Sequence, residues 1–212
     1  PILKAFLTEL GSESANHGLQ IFGGHGFIKE WGMEQIVRDA RIATLYEGTT
    51  GIQALDLLGR KILLNRGKDL NKFSLEVLSF CKNKSLISSN PHKRQMNKFI
   101  WRLSKDIANW QQYTIRLGLK AKKNRDFVGS ASVDFLMYSG YIVMAYFWAQ
   151  MAQTAYEKLA GDVENRDFYR AKIKTAEFYF DRILPRTKSL SKTMMADPKT
   201  LMQLKEELLS LG

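Results

Sequence analysis

One carboxylate in this chain stands where a general base would be useful. Glu47 lies in Tyr46-Glu47-Gly48-Thr49-Thr50-Gly51-Ile52-Gln53, at what reads as the junction of two apolar-patterned helices. Leu45 and Tyr46 flank it, and Gly48 lets a ligand come close to the backbone. A carboxylate kept from water has its pKa raised toward the working pH, which suits proton abstraction. Upstream, Gln20-Ile21-Phe22-Gly23-Gly24-His25-Gly26-Phe27 is a glycine-rich break where backbone N–H groups can approach an anion. Together the two stretches suggest a base and a cofactor clamp. On spacing alone, Glu47 could equally decorate a helix start, and the glycine run could be an ordinary loop.

The elements that must hold these residues read as helices throughout. Leu3, Phe6, Leu7 and Leu10 open a helix that extends to about Gly18, and Glu34 to Leu45 forms a second with Val37, Ala40 and Thr44 on one face. Thr49 or Thr50 is placed to cap a third, along which Ile52, Leu55, Gly59 and Ile62 repeat. The composition turns polar over 65–72 and again over 83–94, with a short apolar run at Leu75–Phe80 between. Ile100, Leu103, Ile107, Trp110, Thr114 and Leu117 then mark an amphipathic helix with a basic end at Lys120–Arg125. Residues 135–156 carry no charge, but their apolar centre at Leu136–Ala149 is too short for a bilayer and fits a buried bundle helix. Tyr169, Ile173, Ala176, Phe180 and Ile183 form the next helix, ended by Pro185. Asp197-Pro198 opens a last one with Leu201, Leu204 and Leu208. No alternating strand pattern occurs, so the expected fold is all-α: one helical bundle over 1–66 and a second over 67–212.

Composition narrows the function classes. The chain has 212 residues and 45% hydrophobic content, well outside the regime of disorder. It begins at Pro1 with helix spacing already under way, and so reads as a piece of a longer protein. Its net charge of +11 is one-sided: residues 1–65 hold six Lys/Arg against seven Asp/Glu, and all the excess lies beyond. A basic surface attracts nucleic acid, anionic lipid or phosphate-rich cofactors without choosing among them. Cys81 stands alone, which rules out an internal disulfide and a Cys-built metal site. His17, His25 and His92 lack the spacing of a helical zinc site, so no metal is expected.

The order Q-x-x-G-G-x-G-F, then Arg38-Asp39-Ala40-Arg41, then Y-E-G-T-x-x-I-Q, running from Gln20 to Gln53, resembles the C-terminal part of the flavin-dependent acyl-CoA dehydrogenases. That resemblance implies an enzyme of fatty acid metabolism and β-oxidation. In it Glu47 is the base for the α-proton of an acyl-CoA thioester, while the β-hydrogen leaves as hydride to FAD, giving a trans-2-enoyl-CoA. It places Tyr46 and Gly48 against the substrate. It also assigns Gln20, Gly23 and Gly24 to the adenosine-diphosphate part of an FAD held mainly by a neighbouring subunit, and Thr49, Thr50 and Gly51 to further FAD contacts. Gln35 and Gly51 depart from the common pattern: the first replaces a basic residue, and the second leaves only backbone to touch FAD. Arg38 and Asp39 read as a structural ion pair or helix support. The implied partners are acyl-CoA, electron-transfer flavoprotein or another acceptor, and further subunits in a homodimer or larger oligomer, in the cytoplasm. Without the other domains of such an enzyme, this piece alone is expected to be inactive.

Residues 70–212 carry no site motif and resemble the extra helical domain of the larger, mostly bacterial members, notably over 126–136 and 171–180. Trp101, Trp110 and Trp148 sit at helical spacings that suit packing. The rival readings are a subunit-contact module without catalysis and a DNA-binding, alkylation-response-type flavoprotein using the basic clusters His92-Lys93-Arg94 and Lys120–Arg125.

Overall fold

A computed structural model describes residues 1–84, 91–204 and 206–208, with the side chains of 83–84, 91–94 and 206 also outside the description. The described residues are helical, with no strand among them. In chain order the helices are α1 (Ile2–Ile21), α2 (Gly24–Phe27), α3 (Met33–Ile42), α4 (Thr50–Leu55), α5 (Lys68–Lys84), α6 (Pro91–Lys123), α7 (Asp126–Leu159), α8 (Arg166–Phe178), α9 (Thr187–Thr193) and α10 (Lys199–Met202). Wider π turns prolong α4 over Asp56–Leu64 and α8 over Tyr179–Ile183.

The spine of the fold is α7, which touches α1, α4, α6, α8 and α9. Its sequence explains that place. Small residues at Ala131, Gly140, Ala145, Ala149, Ala152 and Ala155 interleave with buried aromatics at Phe135, Tyr138, Tyr141 and Tyr146, so neighbours can approach on several sides. Among the described residues this is the one helix long and apolar enough to cross a membrane, but half of its most apolar window is buried inside the fold. The sharpest fit is at Gly140, where a Cβ would overlap the Phe6 ring of α1. Phe6 packs edge-on against Tyr141 with ring centroids 5.0 Å apart. Burying that phenyl group contributes about 1.5–3 kcal/mol. One buried cluster thus runs from Ala5 to Met194, across the turn at 65–67. Polar ties reinforce it: Tyr179 donates to the Tyr141 carbonyl at 2.7 Å, and Arg186 bridges Glu13 of α1 at 2.8 Å and the Tyr141 hydroxyl at 3.2 Å.

Several sequence boundaries move. The first helix runs past Gly18 to Ile21, and the second stops at Ile42 rather than Leu45, although Val37 and Ala40 are half-buried and Thr44 is buried as the periodicity requires. The polar stretch 65–72 holds only a tight turn, made by Arg66 (φ 51°) and Gly67 (φ 69°), and α5 begins at Lys68. Leu75–Phe80 is not an isolated run: Leu70, Ser74, Val77 and Cys81 give α5 a buried stripe that Asn71 and Lys72 obscure in the sequence. α6 has 33 residues, about a dozen more than its apolar repeat indicates. Pro185 does not end the next helix's course. It sits in a 3-10 turn, Leu184–Arg186, that leads directly into α9, an element absent from the sequence reading. The final helix shrinks to α10: Asp197 accepts the Lys199 N–H at 3.0 Å, but Leu201, Leu204 and Leu208 are exposed. Trp110 is buried and Trp148 half-buried, whereas Trp101 is exposed, with Lys105 Nζ 5.5 Å above its ring.

Candidate functional site

Glu47 occupies the short connection between α3 and α4, and its backbone is in the left-handed region, with φ 53°, followed by Gly48 at φ 90°. Two consecutive residues in that region are costly unless neighbours hold them, and for a glutamate the strain is real. Three side chains do the holding. Gln53 Nε2 donates to the Glu47 carbonyl at 3.1 Å, and Lys4 Nζ donates to the Gly48 carbonyl at 2.7 Å. The Thr50 hydroxyl donates to Glu9 Oε1, tying the start of α4 to α1. A Cβ at position 48 would lie 2.8 Å from Gln53 Nε2, so only glycine leaves that clamp intact.

The position of Lys4 matters for the chemistry. Its ammonium lies against the Gly48 carbonyl and 5.9 Å from the Tyr46 ring centroid. The Glu47 carboxylate has no ion pair among the described residues and is exposed. The apolar shelter expected from Leu45 and Tyr46 is not formed by this chain, since those side chains are 49% and 50% exposed.

The glycine-rich break lies elsewhere. Gln20 is at the far end of α1 from Lys4, sixteen residues along the helix, or roughly 24 Å at 1.5 Å per residue. Gly23 turns the chain with φ 58°, and neither Gly23 nor Gly24 has an atom within 4 Å of where a Cβ would be. Gly26 is required for packing, because a Cβ there would strike the Leu19 carbonyl. His25 rests edge-on against Trp31 at 5.3 Å. The structure therefore does not bring the two expected halves of the site together in one copy of the chain.

Of the further cofactor residues, Thr49 is the N-cap of α4 but makes no side-chain cap bond, and it is exposed. The Thr50 hydroxyl is already donating to Glu9, which leaves only its lone pairs for a ligand. Gly51 has open space at its Cβ position. Arg38 and Asp39, expected as a structural ion pair or helix support, form no ion pair with each other among the described residues, and Asp39 supports α3 from within by accepting from Gln35 at 2.7 Å. Of the basic clusters, His92-Lys93-Arg94 has its side chains outside the described residues. Lys120 is occupied internally, donating to the Met195 carbonyl at 2.8 Å and covering the Phe127 ring at 4.7 Å.

The clamp residues Lys4, Glu9 and Gln53 were not legible as such. Lys4 and Glu9 lie on a helix whose sequence pattern reports only its apolar face, and their partners are more than 40 residues away. Gln53 closes the Y-E-G-T-x-x-I-Q motif, and that glutamine at a fixed distance from Glu47 was the available signal.

Two family models match the chain: the C-terminal domain of acyl-CoA dehydrogenase over residues 1–63, and the acetyl-CoA dehydrogenase C-terminal-like domain over 73–205. The chain belongs to the acyl-CoA dehydrogenase family. Among curated relatives of this dehydrogenase chain, a 3-methylmercaptopropionyl-CoA dehydrogenase of Ruegeria pomeroyi is 37% identical over 186 residues, covering 87% of the chain and 30% of the relative. A broad-specificity linear acyl-CoA dehydrogenase of Mycobacterium tuberculosis is 30% identical over 214 residues, covering 97% and 34%. A butyryl-CoA dehydrogenase of Syntrophomonas wolfei is 24% identical over 210 residues, covering 98% and 33%. The chain thus spans about a third of the length of these relatives.

Proposed function

We propose that the protein containing this chain oxidises an acyl-CoA thioester to the trans-2-enoyl-CoA, with Glu47 taking the α-proton while the β-hydrogen leaves as hydride. The observation that carries this reading is the clamped backbone at Glu47-Gly48, which presents a carboxylate with no cation paired to it. A free carboxylate can accept a proton, and a fixed one can do so repeatedly from the same direction. Tyr46 and Gly48 would meet the substrate: Gly48 has no side chain to obstruct the thioester, and Tyr46 offers an exposed ring beside the base.

FAD, when bound, supplies the hydride acceptor. The residues present fit it as one side of a site. Gly23 and Gly24 leave open space at the backbone, Thr49 has an uncommitted hydroxyl, and Gly51 is unobstructed. Gln20, Gly23 and Gly24 lie roughly 24 Å along α1 from the Lys4 contact with the Glu47 loop, which supports a site shared between subunits. In that arrangement the glycine segment serves the cofactor of one copy and Glu47 the substrate of another. Residues 1–66 carry the chemistry, and 67–212 form the supporting helical domain. Electrons would pass on to an electron-transfer flavoprotein or a comparable acceptor.

The test is anaerobic bleaching of the flavin in the intact protein by acyl-CoAs of several chain lengths. Glu47→Gln should retain FAD and slow bleaching by on the order of 10²–10⁴-fold, the usual worth of a positioned base. A loss below about tenfold would remove Glu47 from the role.

A further inference from the structure

At the opposite end of α4 from Glu47, the structure holds a large trough that the dehydrogenase reaction does not use. α4 and its π continuation run from Thr50 to Leu64, so the trough lies roughly 20 Å from the base. Its volume is about 1130 Å³, and it is enclosed between the π segment, the turn at 65–67, the end of α6 and the start of α7. Glycines form much of its floor. A Cβ at Gly118 would lie 3.4 Å from Leu63 Cδ2, and one at Gly59 would lie 3.7 Å from Val128 Cγ1, both at ordinary contact distance or tighter. The elements therefore meet closely below while the trough stays open above.

The lining has two chemical parts. Leu64, Ile115 and Leu119 are 78%, 65% and 58% exposed, a run of aliphatic surface that water covers at a cost. Around it stand Arg66, Lys122 and Arg125, all exposed, and none makes a side-chain hydrogen bond or ion pair among the described residues. No acidic residue lines the trough. The backbone of Arg66 is held at φ 51°, with the Gly67 N–H closing onto the Ile62 carbonyl at 2.8 Å, so the stem of one rim cation starts from a fixed point. An apolar channel beneath three unpaired cations matches a molecule with one long hydrocarbon chain and one anionic head.

We propose that this trough binds a single-chain anionic amphiphile of the fatty-carboxylate type, at a site separate from the one that contains Glu47. The hydrocarbon chain lies along Leu64, Ile115 and Leu119, and the head sits among Arg66, Lys122 and Arg125. The guanidinium groups can donate two parallel hydrogen bonds to a carboxylate.

The probe is dodecanoate, titrated calorimetrically into the intact protein. Saturable binding is expected, weakened about tenfold or more by the combined Arg66→Glu, Lys122→Glu and Arg125→Glu substitutions, and weakened by added salt. Because those three side chains are exposed and unpaired, the variant should keep its melting temperature. Gly118→Trp, which fills the floor, should abolish binding, and Glu47→Gln should leave it unchanged. Dodecyltrimethylammonium should not compete. Failure of dodecyl phosphate to compete supports the carboxylate assignment, and competition at equal affinity would overturn it. Absence of saturable binding would overturn the proposal, as would equal binding of the cationic detergent. So would uptake that survives both trough variants but is lost with Ile21→Ser and Phe27→Ser on the distant apolar face.

Discussion

Residues 1–64 and residues 68–195 use similar amounts of apolar sequence in opposite ways. In the first region Leu3, Ile21, Phe27, Trp31, Ile42 and Ile52 point outward, and α3 buries no residue fully. In the second, the apolar positions of α5, α6, α7 and α8 close on one another around Phe99, Leu103, Ile107, Phe135 and Ile142. The difference separates two uses of hydrophobic surface. The second region holds most of the closed core while leaving Trp101, Ile115, Leu119 and Phe178 at its surface, whereas the first buries little beyond Ala5, Phe6 and the stripe from Ala54 to Ile62, and the candidate site residues lie on that more open side. Glu47 shares that openness: it is exposed, beside the equally exposed Leu45 and Tyr46.

The sharpest way to break this comparison is to place the same polar change on each side. Phe135→Ser, in the closed core, should cost about 3–5 kcal/mol and strongly lower the melting temperature. Phe27→Ser, at a side chain 77% exposed, should change stability by no more than about 0.5 kcal/mol while reducing self-association in light scattering. Equal losses at the two positions would mean that the first region is as closed as the second.

The seam between the regions comes next in size. Gly140→Leu places a branched side chain where the Phe6 ring lies, so about 1–3 kcal/mol should be lost. Combining it with Phe6→Ala should recover part of that loss. A double variant no better than the single one would show that the α1–α7 fit is not the source of the penalty.

A smaller effect is expected at the clamp. Lys4→Ala removes a charge-assisted bond to the Gly48 carbonyl and should slow flavin reduction in the intact protein about tenfold, well short of Glu47→Gln, with FAD content unchanged. Lys4→Arg should restore most of the rate.

The smallest effect is one of pH. Burial pushes the Asp106 carboxyl above its ordinary value, against the pull of the Arg102 guanidinium 2.8 Å away and of Lys105 and Lys188. The folded chain then keeps this proton to higher pH than the unfolded chain does. The contribution of Asp106 to stability is largest below the ordinary aspartate value and declines as pH rises to the raised one. The stability of the native chain relative to Asp106→Asn should fall as pH rises above the ordinary aspartate value, and a rise instead would reverse the assignment.

How much of this could be read from residues alone depended on the range of the interaction. The central helix was legible because residues 135–156 lack charge, and the Glu47 loop because its residues are contiguous. α5 was hidden, since Asn71 and Lys72 interrupt its buried stripe, and α9 was hidden behind Pro185, which a 3-10 turn accommodates. The fit of Phe6 into Gly140 and the reach of Lys4 to Gly48 join positions far apart in the chain, and no local pattern reports such a pairing. Nor could spacing reveal that the glycine break and the base stand at opposite ends of α1, because a helix converts residue count into distance only once its ends are known.

The contact between Phe6 and Tyr141 also has a consequence in time. α6, α7 and α8 are successive in the chain and can pair soon after each is synthesised, and α1 can meet α3 and α4 early, but its Phe6 must wait for Tyr141, 135 residues downstream. At the usual 5–20 residues per second, that delay is roughly 7–27 s, during which the apolar face around Phe6 is without its native cover. The nascent chain is then a natural client for holding chaperones, and changes that slow translation before Asp126 should lower the yield of folded protein without altering its final stability.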